Sequence, residues 1–164
     1  MESKVQDVAG ITMALGNITL SGITGGAKTF TTAVTPYCIN GKAYFTTIQT
    51  GANFPALDIN TGVAPVGLVA ANTGTVVVLG NQAGAVVHVA AQGSVEALDA
   101  GGNFLIPPKF PSLPDNFCPL AYIILKAGAT LAAPFIQGTG NWNQTGITAA
   151  VQNIAALPDH PQVA

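Results

Sequence analysis

Apolar residues dominate two segments of the chain, and neither segment alternates apolar with polar positions. In the first segment, residues 76–79 are consecutive aliphatic residues, a glycine-containing connector follows at 80–84, and valine returns at Val86, Val87 and Val89. Two β-branched runs around such a connector predict a β-hairpin. Because a strand with one face in water alternates, an uninterrupted apolar run predicts that protein covers both faces. We therefore expect this hairpin at the centre of a sandwich or at an interface.

The strongest turn signal is Asn40-Gly41, two residues that tolerate a positive φ between the strand-like segments 28–39 and 42–49. A two-residue type I′ turn there should place Ile39 opposite Lys42. Residues 50–65 and 100–116 are predicted loops, because glycine and proline interrupt both. The second segment, almost continuously apolar, is 120–126, and the other predicted strands are 17–20, 66–71, 135–137 and 146–154.

Many short strands and no long helical pattern predict an all-β protein, either a β-sandwich or a jelly roll of roughly eight short strands with an N-terminal arm. A chain of 164 residues has the length of one domain. We divide it into an N-terminal arm with the first strand (1–27), a β-sandwich domain (28–157) and a proline-rich C-terminal tail (158–164).

Charge is scarce along the whole chain. Only 7% of the residues are charged, against about 25% in an average globular protein. A β protein with so little charge has weak protection against association, so we expect copies of the chain to bind one another or a larger assembly. The 5 basic residues are scattered lysines, which predicts no direct binding to nucleic acid.

Two further expectations concern location. No apolar run reaches the roughly 18 residues that span a bilayer, so we expect no membrane insertion. The N-terminal residues lack the apolar core of a secretory signal, so we expect synthesis and assembly in the cytoplasm.

The residues that could carry chemistry do not form recognisable motifs. Residues 22–29 superficially resemble a phosphate-binding loop, but Ala27 separates the glycines from Lys28. His88 and His160 have no partners at metal-ligand spacing, so we assign no metal and no cofactor. His88 is interpreted as a core or interface histidine.

Acidic and nucleophilic residues give a similar result. Glu96 and Asp99 are close enough to suggest paired carboxylates, but the adjacent glycines indicate a solvated strand end. None of the three serines considered as nucleophiles lies in a nucleophile elbow. They are Ser21, Ser94 and Ser112. We predict that the protein is not an enzyme and assign no catalytic residue.

Three side chains invite a structural interpretation. Cys38 and Cys118 are expected to be buried free thiols, because a reducing compartment disfavours their pairing. Trp142, between two asparagines, could stack on a sugar or be an aromatic anchor in a loop packed on a neighbour, and we favour the anchor.

Four segments together resemble small virion structural proteins of tailed phages and prophages. The resemblance covers about residues 28–162 and is carried by residues 37–43, 92–98, 141–143 and 157–161. It implies a non-enzymatic head decoration (cement) protein on the capsid surface, assembled in the host cytoplasm. The implied partners are the major capsid protein and copies of the chain itself. His160 stands where such proteins are expected to have a basic residue.

Two alternatives to decoration stay open at this point. A tail, baseplate or fibre-base protein would share the short strands and glycine-rich turns. A carbohydrate-binding module would use Trp142 and Tyr44 to stack on sugar rings.

Overall fold

The structure is a computed structural model, and it describes residues 11–23, 28–85, 87–154, 156–158 and 161. Over these residues it contains nine strands and no helix, in three antiparallel sheets. This confirms the all-β prediction and is consistent with a β-sandwich, whereas the jelly roll stays a prediction. The strands are β1 (Met13–Ala14), β2 (Thr29–Thr32), β3 (Pro36–Ile39), β4 (Lys42–Phe45), β5 (Gln49–Asn53), β6 (Thr73–Gln82), β7 (Val89–Ala97), β8 (Phe117–Ala127) and β9 (Ile147–Asn153).

The largest sheet has the strand order β7-β6-β8-β9. Both interior strands are buried along almost their entire length, on both faces of the sheet. The predicted hairpin is confirmed by the antiparallel pairing of β6 and β7, but the expected burial is found only in β6, because β7 is an edge strand in which only Ala90 and Ala91 are buried. The second strand begins later than predicted, at Val89, while Val87 lies before it with 58% of its surface exposed and Val86 is outside the described residues.

The first face of this sheet packs against the two smaller sheets, whose orders are β1-β3-β4 and β2-β5. Alternate residues of the interior strands, such as Val77, Leu79 and Ile123, enter this main core together with Tyr37 and Phe54. The core thus lies between layers of sheet, as in a sandwich.

The second face is covered by the proline-rich crossing loop, residues 100–116, which contains no strand as predicted. The aromatic rings of Phe110 and Tyr122 meet edge to face at 5.2 Å between centroids. Phe104 and Leu113 of the loop pack against the same cluster. A buried backbone N–H needs a hydrogen-bond partner, and proline has no N–H. The prolines of the loop therefore reduce the number of backbone groups that need partners where the loop covers the sheet.

Two glycines allow the layers to approach closely. A Cβ on Gly80 would lie 2.1 Å from the carbonyl oxygen of Cys118, and one on Gly93 would lie 2.1 Å from that of Lys109. Both distances are too short for any side chain. Gly80 therefore admits β8 beside β6, and Gly93 admits the crossing loop beside β7.

The Asn40-Gly41 turn forms as predicted. Asn40 and Gly41 have φ values of 50° and 77°, the positive values that a type I′ turn requires. The turn joins β3 and β4 in the register Ile39↔Lys42, Cys38↔Ala43, Tyr37↔Tyr44 and Pro36↔Phe45.

The predicted first strand at 17–20 is wrong, since the first strand is β1. The Asn17 side chain accepts a hydrogen bond from the Thr19 N–H at 3.1 Å, and Thr19 has a φ of 52°. This local Asx turn bends the chain away from an extended conformation.

Three other boundaries also differ. Gly67 has a φ of 69°, so the predicted strand at 66–71 and the segment 135–137 reduce to one isolated bridge between Leu68 and Phe135. The loop predicted at 50–65 begins later, because β5 pairs with β2. The domain division stays a prediction, and its first ten residues lie outside the described ones.

Candidate functional site

His88 is a core residue in this structure. Its side chain is 6% exposed, its Nε2 lies 3.0 Å from Oγ1 of Thr32, and its ring meets Phe30 edge to face. Burial lowers the pKa of His88 to about 4, and the Gly80 backbone opposes this shift only in part. The imidazole is therefore neutral at physiological pH and has the packing expected of a structural side chain. His160 lies outside the described residues.

The two carboxylates singled out from the sequence do not form a catalytic pair. Asp99 Oδ1 accepts hydrogen bonds at 2.8 Å from the N–H groups of Gly101 and Asn103, and these bonds hold its pKa below the ordinary value. Asp99 thus closes a surface turn. Glu96 lies within β7, opposite Gly74.

The three serines considered as nucleophiles take part in hydrogen bonds or in a strand bridge. Ser94 Oγ accepts the N–H of Lys109 at 2.8 Å, and the Ser112 carbonyl accepts the side-chain amide of Asn60 at 2.7 Å. Ser21 forms an isolated bridge with Thr31. The segment that resembles a phosphate loop leads into β2 rather than a helix, and its residues 24–27 lie outside the described ones.

Both cysteines are buried free thiols, as predicted. The pKa of Cys118 is raised to about 12, mainly by burial; a hydrogen bond with the Cys38 backbone opposes the shift, and the Cys38 thiol adds a smaller increase. Cys38 in β3 and Cys118 in β8 therefore lie close to each other. A thiol with such a pKa is not a nucleophile at neutral pH.

Trp142 is packed inside its own chain. The indole is 2% exposed and meets Phe54 edge to face at 5.1 Å, while its Nε1 donates to the Thr29 carbonyl at 3.1 Å. Trp142 therefore anchors its loop on its own chain, where the prediction had placed the anchor on a neighbour, and both faces of the ring are unavailable to a sugar. Tyr44 is half-buried and stacks on Tyr37 at 5.5 Å.

Sequence reasoning missed Asp58, a buried carboxylate. Its two oxygens accept the N–H groups of Asn60 at 2.8 Å and Gln92 at 2.7 Å. The Ile59 N–H donates to the Ala90 carbonyl at 2.9 Å, so the loop is fastened along the outer edge of β7. An aspartate two residues before an asparagine is the signal of an Asx turn that could have indicated this role.

The described residues expose thirteen large apolar side chains. Three of them, Val63, Val66 and Val95, line an open groove of about 590 Å³ between the Asp58 loop and β7. We call this the apolar groove. The remaining exposed apolar residues are Ile11, Leu15, Val34, Phe45, Ile48, Leu57, Val69, Val87, Leu105 and Ile106.

The described part of the chain contains no group of three or more potential metal ligands. Among its secondary-structure elements there is also no helix that could cross a membrane. Comparison with protein-family models, with curated proteins and with solved structures found no match to this chain.

Proposed function

We propose that this protein is a structural component of a phage virion, most specifically a head decoration (cement) protein that binds the assembled capsid and stabilises it. The observation that supports an assembly role is the exposed apolar surface of a chain that carries only 12 charged residues. Val66 is 73% exposed and Phe45 is 67% exposed, although both belong to side-chain types that are usually buried.

The energetics favour a covered surface. Full burial of a valine, leucine, isoleucine or phenylalanine side chain stabilises a complex by about 1.5 to 3 kcal/mol. Several exposed side chains of this kind, distributed over loops and edge strands, would support contacts with more than one neighbour. Repeated contacts of moderate size are what a protein needs to reinforce a shell made of identical subunits.

The phage assignment itself comes from the sequence resemblance described above. The resemblance implies that the partners are the major capsid protein and other copies of this chain, and that the protein lies on the capsid surface. No enzyme activity is proposed, because the sequence contains no catalytic motif, and His88, Asp99 and Ser94 form hydrogen bonds in the core, in a turn and to a loop backbone.

The test uses phage particles assembled without this protein. Adding the purified protein back should increase the resistance of the particles to heat and to chelators, and immunogold labelling should mark the head. Unchanged particle stability would count against cementing. Label on the tail instead would replace the decoration role with that of a tail, baseplate or fibre-base protein.

A pair of variants tests whether attachment uses the apolar surface. Val66→Asp places a charge in the apolar groove, whereas Thr50→Asp places one on an exposed polar residue that does not line the groove. Attachment through the groove predicts weaker particle binding only for the first variant. Equal binding by both variants would exclude the groove from the contact.

A further inference from the structure

Strand β9 forms an open edge of the largest sheet. It pairs with β8 over its whole length without a register shift, and within the described residues no other strand pairs with it. Its seven residues, ITAAVQN, include no charge, no proline and no glycine. Proteins usually protect an edge strand with such residues or with a bulge, because a bare edge accepts strands from other chains.

The opposite edge of the sheet is protected. Along β7, the Ala90 carbonyl accepts the Ile59 N–H, and the Ser94 N–H donates to the Lys109 carbonyl at 3.1 Å. The Leu105 N–H donates to the Ala97 carbonyl at 3.0 Å. Two loops therefore satisfy outer backbone groups of β7, and among the described residues β9 is left as the unprotected edge.

The register with β8 identifies which backbone groups of β9 face outward. The Gly128 N–H donates to the Gly146 carbonyl, and the Ile154 N–H donates to the Leu120 carbonyl. In an antiparallel pair the residues that exchange hydrogen bonds alternate with those that do not. Even-numbered residues of β9 therefore bond to β8, and the N–H and C=O groups of Ala149 and Val151 point away from the sheet.

We propose that β9 pairs antiparallel with β9 of a second copy, about a two-fold axis at Ala150. In that register Ala149 of each copy faces Val151 of the other, and the two pairs exchange four backbone hydrogen bonds. The sheets of the two copies would then join into one continuous sheet of eight strands. This inference concerns the isolated protein and does not depend on the proposed role in a virion.

The side chains of β9 suit a second copy of the same strand. On the core side, Ile147, Ala149 and Val151 are half-buried against the main core, and pairing would extend this apolar layer across the axis. On the other side, Thr148 would face Gln152, and the small Ala150 would face itself. No charge opposes this self-pairing, and polar cross-strand pairs support it.

The size of the contact sets the expected affinity. The Leu20 N–H donates to the Asn153 side chain at 3.4 Å, so the contact centres on residues 148–152. Five residues of strand edge bury less than the about 1,200 Å² of a standard stable interface. We therefore expect a reversible dimer that dissociates on dilution, with wider surfaces covered only when further copies or partners assemble.

A cysteine placed on the axis tests the register. At Ala150 the two chains would form a non-hydrogen-bonded pair with Cα atoms about 4.5 Å apart, within the range of a disulfide. Ala150→Cys should therefore give a disulfide-linked dimer under mild oxidation. Thr148→Cys is the matched control, because its two copies would be about 14 Å apart along the strands and should not link. The parent protein, whose thiols are buried, should also stay unlinked.

Two further changes test the pairing without a cross-link. Ala149→Pro removes an outward N–H and no hydrogen bond to β8, so it should abolish the concentration-dependent dimer in sedimentation, and circular dichroism checks that the variant is folded. A variant with Thr148→Lys and Gln152→Lys should not self-associate, but it should pair with one carrying Thr148→Glu and Gln152→Glu. The proposal is overturned if Ala150→Cys links no better than Thr148→Cys, or if folded Ala149→Pro associates like the parent.

Discussion

The Nε2 atom of His88 lies 3.0 Å from the Oγ1 atom of Thr32, in a contact that joins the end of β2 to the segment leading into β7. Both side chains are buried, and Nδ1 of His88 has no hydrogen-bond partner among the described residues. A second proton on this ring would place an unpaired charge in the core. This is why burial lowers the pKa of His88 to about 4.

We predict that His88 makes the protein less stable as the pH falls. In the unfolded chain the imidazole takes up a proton near pH 6.5, whereas in the folded protein it does so only near pH 4. The unfolded state thus binds more protons between these values, and the contribution of His88 to the free energy of unfolding decreases by up to about 3 kcal/mol from pH 7 to pH 4. Urea titrations across this range measure it.

His88→Gln is the control for this prediction. Glutamine can still bond to Thr32 but does not titrate, so the decline between pH 6.5 and pH 4 should become much shallower. An unchanged pH profile in His88→Gln would show that another group causes the decline.

Trp142 is the only tryptophan, so its fluorescence reports directly on the core. We expect blue-shifted emission and weak iodide quenching in the folded protein, because the indole is 2% exposed. Trp142→Ala should destabilise the fold by about 3 to 5 kcal/mol. Trp142→Phe keeps an aromatic ring but loses the bond to Thr29, so it should cost less. Strong quenching in the native state would contradict the buried position.

We predict that both cysteines do not react with thiol reagents until the protein unfolds. Cys38 is 5% exposed, so the reagent cannot reach it, and the pKa of Cys118 is raised to about 12, so Cys118 presents no thiolate at pH 8. Ellman's reagent should detect two thiols in denaturant and almost none in buffer. Rapid reaction of either thiol in the folded protein would mean that the layer between β3 and β8 opens locally.

The turn between β3 and β4 makes a quantitative prediction about backbone conformation. Gly41→Ala places a Cβ on a residue with a φ of 77° and should destabilise the protein by about 1 to 2 kcal/mol. Asn40→Gly keeps the same backbone shape and should change stability by much less. Thermal unfolding of both variants gives the comparison. A similar loss in both would mean that side-chain contacts of Asn40, rather than φ, govern the turn.

The features that the sequence predicted best are those with a local cause. The Asn40-Gly41 turn follows from two adjacent residues, and the burial of β6 and β8 follows from their uninterrupted apolar runs. The order β7-β6-β8-β9 could not be derived, because Val77 of β6 meets Ile123 of β8 across a long stretch of chain. Such pairings depend on tertiary packing that no local pattern encodes.

The errors have an equally physical origin. Residues 66–71 have the composition of a strand, but the φ of 69° at Gly67 breaks the extended conformation and leaves Val66 and Val69 exposed. The structural role of Asp58 depends on Gln92, far along the chain, so only its Asx turn was visible locally. The open edge of β9 could not be identified before the sheet order was known.

The crossing loop covers the second face of the large sheet, so it separates the buried strands β6 and β8 from the surface of the protein. Because β6 and β8 are enclosed, a partner can contact mainly side chains of loops and edge strands. Examples are Phe45 in β4 and Val66 in the apolar groove. Substitutions at these positions leave the packing of β6 against β8 intact. A few substitutions at exposed positions would therefore change which partner the protein binds, while the residues that form its core stay the same.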